Sequence, residues 1–290
     1  MTWRVGAFCW PHPCASDPEW LDSPLHPPLH YPPLPLTDLD RTRPIVLASH
    51  GFSATPFEWQ EFVDFAAVHR IPVDRVTLGG HGLCLADFER STPAQWAAPL
   101  LDRYFQLVSA GFKRIVLACA SLSGALFLHA LTDSNSPFRR QPPAHVFFIN
   151  PLVQAKDPLM PLTPWLAWLG GYYYIDRTPT EHRYWYTHFP IRTLARLQGL
   201  CAALQAELAR GIHWENGPPI TIFQSDADPT VDVGAVERLV YQVKTAGGVT
   251  VSLYPSAIHV LTRLVGRDGV TDTMRQNQMD IFTNMVDGLK

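Results

Sequence analysis

The chain has 290 residues, 47% of them hydrophobic and 17% charged, with a net charge of −3 at neutral pH. That is enough apolar material for a large core, and it excludes a disordered polyelectrolyte. No basic run offers a footing for nucleic acid, and no window is long and apolar enough to form a membrane-spanning helix.

The five cysteines (Cys9, Cys14, Cys84, Cys119, Cys201) are scattered and lack C-x-x-C spacing, so neither a disulfide framework nor a zinc site is expected. The first residues hold no continuous apolar stretch of the secretory type, and the expectation is a soluble, cytoplasmic protein.

Residues 1–43 are crowded with proline (Pro24, Pro27, Pro28, Pro32, Pro33, Pro35), which removes backbone donors and predicts an extended arm. Its aromatics Trp3, Phe8, Trp10 and Trp20 suggest packing on the body, which is expected to span residues 44–290. From Pro44 the pattern changes: Ile45 to His50 reads as a buried strand ended by Gly51. Thr55-Pro-Phe-Glu58 offers a capping box for a helix through about Arg70. A strand over Val73 to Leu78 runs into Gly79-Gly-His-Gly82. This glycine run lacks the Lys-Ser/Thr of a phosphate loop and reads as a turn. Thr92-Pro-Ala-Gln95 repeats the capping arrangement before a second helix, whose apolar face is Trp96, Leu100, Tyr104 and Val108.

The stretch Arg114 to His129 is the most informative. A β-branched apolar run stops at Ser121 and an Ala/Leu-rich helical stretch starts at once, which is a strand, a sharp turn and a helix. A serine on so tight a turn stands clear of the sheet, with helix N–H groups aimed where negative charge develops during attack. The pattern is C-x-S-x-S, with Cys119 and Ser123 where G-x-S-x-G has glycines. His145 to Asn150 is a further strand. Residues 152–216 then break the alternation with a crowd of aromatics, among them Trp165, Trp168, Tyr172–Tyr174, Tyr184–Tyr186 and Phe189, closed by a helix from about Thr193 to Arg210. Alternation resumes with the strand Ile220–Phe223, a helix from about Val233 to Thr245 stopped by Gly247-Gly248, the strand Val249–Tyr254 and a last helix from about Thr271. Strands alternating with helices predict an α/β fold with a mostly parallel sheet covered on both faces.

A nucleophilic Ser121 needs a base, and the base needs a carboxylate to fix its tautomer. In open α/β sheets such groups gather at the carboxyl ends of strands. Asp226 and Asp228 follow one late strand and His259 follows the next, giving the order Ser, Asp, His. The two oxyanion donors expected are the N–H of Leu122, next to the nucleophile, and that of Phe52, after Gly51. Ser123 is an alternative nucleophile register, disfavoured because the apolar strand ends directly before Ser121.

Taken together, Ser49-His-Gly-Phe52, Leu78-Gly-Gly-His-Gly82, Cys119-Ala-Ser-Leu-Ser-Gly124, Asp228-Pro-Thr-Val231 and His259-Val-Leu261 resemble, in order and spacing, the carboxylesterase and monoacylglycerol lipase group of the α/β-hydrolase superfamily. The likeness runs from about Pro44 to the last residues. It implies an α/β-hydrolase fold with a small cap over residues 152–216, Ser121 as nucleophile, Asp228 as acid and His259 as base. It also implies a small-molecule acyl ester as substrate and no metal or organic cofactor. His50, Trp165 and Trp185 are candidates for the substrate pocket. A thioesterase, amidase or carbon–carbon hydrolase, or a non-catalytic binding protein of the same fold, stays open at this point.

Overall fold

A computed structural model describes residues 8–9 and 31–289 of the chain. In chain order its strands are β1 (Phe8–Cys9), β2 (Ile45–Ser49), β3 (Val73–Val76), β4 (Ile115–Ala120), β5 (His145–Ile149), β6 (Tyr172–Tyr174), β7 (His188–Pro190), β8 (Ile212–Trp214), β9 (Ile220–Ser225), β10 (Val243–Thr245) and β11 (Val249–Tyr254). The continuous apolar runs become the inner strands, because a strand covered on both faces has no side to give to polar residues. Every residue of β2 and of β4 is buried.

Six strands form one sheet in the order β11-β9-β5-β4-β2-β3, and every pairing is parallel. The chain steps outward from β2 to β3, returns to β4, and then builds the other half. The strand order therefore reverses between β2 and β4, and a crevice opens beyond their carboxyl ends. The loop holding Gly51 and Phe52 leaves one of these strands and Ser121 ends the other.

Two apolar clusters cover the sheet. Trp59 and Phe62 of the segment before β3, with Phe282 and Met285 of the helix Asp272–Asp287, pack on Val46, Phe147 and Phe223. On the other face, Trp96, Leu100, Tyr104 and Leu107 of the helix Pro93–Ser109 join the helices Leu122–Thr132 and Ile191–Arg210. Leu107, rather than Val108, completes that apolar face: Leu107 is buried and Val108 only partly so.

Two further expectations about local structure are corrected. Thr92 and Gln95 form their capping box, but Thr55 makes no side-chain cap: the Glu58 N–H donates to the Thr55 carbonyl (3.0 Å) and the Glu58 side chain turns to the N–H of Gly51. The single helix expected over Val233 to Thr245 is two short ones, Val233–Glu237 and Leu239–Gln242, followed by β10, which pairs with β8. Val243 is buried and the strand pairing of Val243–Thr245 outweighs a third helical turn.

Of the expected arm, residues 1–7 and 10–30, with Trp3, Trp10 and Trp20, lie outside the described residues. Phe8–Cys9 adds an antiparallel strand to β6, which pairs in turn with β7. Nearer the body, Leu34 is held at both backbone groups. Its N–H donates to Asp74 Oδ1 (3.0 Å) and its carbonyl accepts from Arg103 Nη2 (2.8 Å), while Arg103 and Asp74 are themselves paired.

Candidate active site

Ser121 ends β4 with φ 49° and ψ −111°, a left-handed strained conformation that a non-glycine residue holds only when its surroundings fix it. They do so here. The N–H of Ser121 donates to Ile149 O (2.9 Å), and its carbonyl accepts from Gly124 N (3.0 Å) and Leu152 N (3.0 Å). Gly124 is where the helix needs a missing side chain, since a Cβ there would meet Pro151 Cβ at 2.9 Å. Ser123 is tolerated two residues after Ser121 because its hydroxyl, fully buried, donates to Ser49 O (2.8 Å), with Ala120 O at 2.9 Å as the other acceptor in reach. Cys119 is buried in apolar surroundings that push its thiol up to about 12, so it takes no part as a thiolate.

His259 Nε2 lies 2.8 Å from Ser121 Oγ, and His259 Nδ1 lies 2.9 Å from Asp228 Oδ2. The three side chains come from the ends of β4, β9 and β11 and meet over the crevice. Asp228 accepts further bonds at Oδ2 from Asn150 Nδ2 (2.7 Å) and Gln224 Nε2 (3.2 Å), and at Oδ1 from the backbone N–H groups of Thr230 (2.8 Å) and Val231 (3.1 Å). Burial alone would push this carboxyl up. The attraction and hydrogen bond of His259, with the two backbone donors, outweigh it and draw the group down to about 2. Asp226 is exposed and caps the backbone N–H of Ser256 (3.0 Å), away from the imidazole.

Among the described residues the backbone N–H groups of Phe52, after Gly51, and of Leu122, directly after Ser121, donate to no protein acceptor. The Cα of Gly51 lies so close to the turn that a Cβ on it would stand 3.0 Å from Ser121 Cβ. The Phe52 ring packs edge-on against His81, Trp96 and Phe189 and tilted against Phe88, with centroids 5.2–6.1 Å away.

Sequence reasoning missed two polar residues. Asn150, fully buried at the end of β5 with φ 46°, donates to Asp228 and to Ser225 Oγ (3.1 Å) and accepts from Leu261 N (3.2 Å). It joins Asp228 to the loop that carries His259. The one signal available was an asparagine directly after a buried strand, where it tolerates a left-handed backbone. Glu58, expected in a capping box, instead has its carboxylate buried under Gly51, and burial raises its pKa.

The pocket candidates are placed differently from expectation. His50 is fully buried, with Nδ1 donating to Gly51 O (2.9 Å) and Nε2 accepting from Leu78 N (3.0 Å). Burial pulls its pKa down to about 4, so the ring is neutral at pH 7 and both nitrogens are committed to backbone. Trp165 is 77% exposed and Trp185 4% exposed, the latter with the Arg263 guanidinium 4.3 Å from its ring centroid. One tryptophan therefore faces solvent and the other braces a loop.

The aromatic segment is tied to the loops around the crevice. Tyr186 N donates to Ser53 O (2.9 Å), Tyr186 Oη to Leu83 O (2.7 Å), Thr178 Oγ1 to Gly266 O (2.6 Å), and Arg263 pairs with Glu181 (2.7 Å). Behind His259, Arg267 Nη2 donates to the His259 carbonyl (2.5 Å) and Val260 holds φ 65°. Among the described residues no group of histidine, cysteine and acidic side chains is arranged to hold a metal, and no helix is long and apolar enough to cross a membrane.

No family model matches the chain, and no curated protein matches it in sequence. Solved structures do match. A soluble variant of the monoglyceride lipase of Saccharomyces cerevisiae, solved with a substrate analogue, is 15% identical over 87% of this chain and 88% of its own, with a TM-score of 0.69. A metagenome-derived lipolytic enzyme is 19% identical over 86% of this chain and 94% of its own, at 0.67. Mouse alpha/beta hydrolase domain-containing protein 10 is 16% identical over 85% and 90%, at 0.55. At these identities the shared property is the fold, and the chain has the α/β-hydrolase fold.

Proposed function

We propose that the chain is a serine hydrolase that cleaves carboxylic esters through an acyl-enzyme. The observation that carries this reading is the unbroken run of hydrogen bonds Ser121 Oγ to His259 Nε2 (2.8 Å) and His259 Nδ1 to Asp228 Oδ2 (2.9 Å), anchored on a strained turn. Ser121 Oγ attacks the ester carbonyl while its proton passes to His259 Nε2. Asp228 holds the Nδ1–H tautomer and stabilises the imidazolium that forms. The carbonyl oxygen, now negative, accepts from the N–H groups of Phe52 and Leu122. His259 returns the proton to the leaving alcohol, and water, deprotonated by the same imidazole, releases the acid from Ser121.

Residues 152–216 act as a cap. Its hydrogen bonds to Ser53, Leu83 and Gly266 anchor it to three loops at the carboxyl end of the sheet. No charged residue occurs between Asp157 and Asp176. An uncharged stretch of that length within the cap suits a neutral substrate with an apolar acyl part, a short or medium acyl ester or a monoglyceride. The yeast lipase and the lipolytic enzyme of similar fold support that class.

Hydrolysis of p-nitrophenyl esters of increasing acyl length, beside a thioester and an anilide of the same acyl group, tests the reading. Turnover of short or medium esters that disappears in Ser121→Ala is expected. Preference for the thioester or anilide by more than about tenfold, a difference of 1.4 kcal/mol in the barrier, would move the substrate class.

A further inference from the structure

Gly51 is held at both ends. Its N–H donates to Glu58 Oε1 (2.9 Å) and its carbonyl accepts from His50 Nδ1 (2.9 Å), while His50 Nε2 is fixed by Leu78 N–H (3.0 Å). A peptide unit is planar and trans, so fixing the Gly51 carbonyl fixes the Phe52 N–H of the same unit in the opposite direction. The preceding unit, whose N–H belongs to Gly51, is fixed by Glu58. Two consecutive peptide planes are thus set by two buried side chains, directly beside Ser121.

Glu58 is an unusual choice for this task. It is 3% exposed, and burying a carboxylate costs far more than burying a neutral acceptor. A Cβ on Gly51 would lie 3.5 and 3.6 Å from its two oxygens and 3.0 Å from Ser121 Cβ, so Gly51 is all that separates the carboxylate from the turn. The guanidinium charges near enough to act on it are Arg263 and Arg267, with the His259 imidazole beside them. Both arginines belong to the loop that carries His259. Arg263 also pairs with Glu181 of the cap, and Arg267 holds the His259 carbonyl.

We propose that Glu58 is a positioning residue of the oxyanion loop: its carboxylate fixes the Gly51 N–H and, with His50 on the Gly51 carbonyl, sets the two consecutive peptide planes from which the Phe52 N–H points at the oxyanion above Ser121. This rests on the esterase reading for its catalytic consequence, although the alignment itself does not. Glu58 touches no reacting atom and acts through Gly51. A charged acceptor makes a shorter and stronger bond to a backbone N–H than a neutral one.

The experiment compares Glu58→Gln, which keeps an oxygen acceptor, with Glu58→Met, which keeps the volume and has none. Three readouts are taken: kcat and KM for p-nitrophenyl butyrate, the inhibition constant of a trifluoromethyl ketone that forms an oxyanion on the serine, and hydrogen exchange at the Gly51 amide. The Met variant is expected to lose about 10²-fold in kcat with KM within about threefold, as for a lost or displaced oxyanion donor. The ketone should weaken in the same proportion and Gly51 exchange should accelerate. The Gln variant should recover most of kcat and keep Gly51 protected. A Met variant with wild-type kcat and ketone affinity overturns the proposal, and so does a Gln variant that falls as far as Met. If the Met variant does not fold, slow Gly51 exchange in both the wild type and Gln supports the proposal and fast exchange in the wild type overturns it. Absence of Ser121-dependent hydrolysis in the wild type would defeat the esterase reading alone, since the exchange readout stands without it.

Discussion

The carboxyl edge of the parallel sheet and the aromatic segment inserted after β5 are built on opposite principles. At the sheet edge Ser121, Asn150 and Val260 sit in left-handed conformations, and the N–H groups of Ser121 and Asn150 are held by Ile149 and Phe223 of the neighbouring strands. Strain of that kind persists only where the surroundings determine it. The inserted segment is made of short pieces, such as Thr163–Leu166, Tyr172–Tyr174 and Pro179–Tyr184, and it exposes Trp165 and Trp168. On the proposed reading the chemistry belongs to the sheet edge and the choice of substrate to the insertion.

The largest effects belong to the edge. Ser121→Ala and His259→Ala should each lower kcat by about 10⁴-fold or more, because members of such a triad act as a unit. Melting temperatures near that of the wild type would show that the loss is chemical. An insertion variant matching that loss without unfolding would break the comparison.

Next comes the acid. Asp228→Asn should cost about 10³–10⁴-fold in kcat, since the wrong imidazole tautomer is favoured. Asp226→Asn, removing only a cap on Ser256, should cost less than about threefold, within the range of a lost surface bond. The reverse ranking would transfer the acid to Asp226. A pH dependence accompanies Asp228. Its carboxyl is drawn down from 3.8 to about 2, so its contribution to stability is fully present above pH 4 and is lost as pH falls through about 2. Denaturant midpoints between pH 5 and pH 2 should fall more steeply for the wild type than for Asp228→Asn.

Asn150 tests whether the edge is one connected unit. Asn150→Ala leaves Leu261 N–H without its acceptor and Asp228 with one donor fewer, a loss of about 2 kcal/mol in stability and about tenfold in kcat. Urea unfolding and ester hydrolysis measure both. Unchanged values would remove Asn150 from the account.

The smallest effects sharpen the view of the insertion. Trp185→Ala should cost about 3 kcal/mol, as for other buried aromatics, and Trp165→Ala less than about 0.5 kcal/mol. Thermal unfolding decides it. If Trp165→Ala also weakens hydrolysis of longer acyl esters relative to acetate, that ring contacts substrate despite its exposure.

The sequence was most readable where rigid elements impose a pattern. Ile115–Ala120 can only be an inner strand, and a serine at its end followed by a helix is visible from residue types alone. Asp228 and His259 were expected beside Ser121 for the same reason, each following a strand of β-branched residues, and the structure brings the three side chains together. Glu58 and Asn150 escaped because each is a single polar residue whose partner lies across a turn or on another strand. Glu58 also stood where a capping glutamate is expected, so a local rule concealed a tertiary role. The pocket candidates were less legible for a different reason: composition reveals that aromatics crowd into residues 152–216, but not which way a ring faces. Trp165 points to water and Trp185 to Arg263. His50 looked like a site residue from its glycine neighbour, and its burial and two backbone bonds give it a framework role.

The central claim is that Ser121 is the activated nucleophile, and covalent labelling tests it most directly. The protein is treated with a fluorophosphonate, digested and analysed by mass spectrometry. A single adduct on the peptide containing Ser121, absent from Ser121→Ala and strongly slowed in His259→Ala, is the predicted result. An adduct on Ser123, or no adduct on a folded wild-type protein, would contradict it.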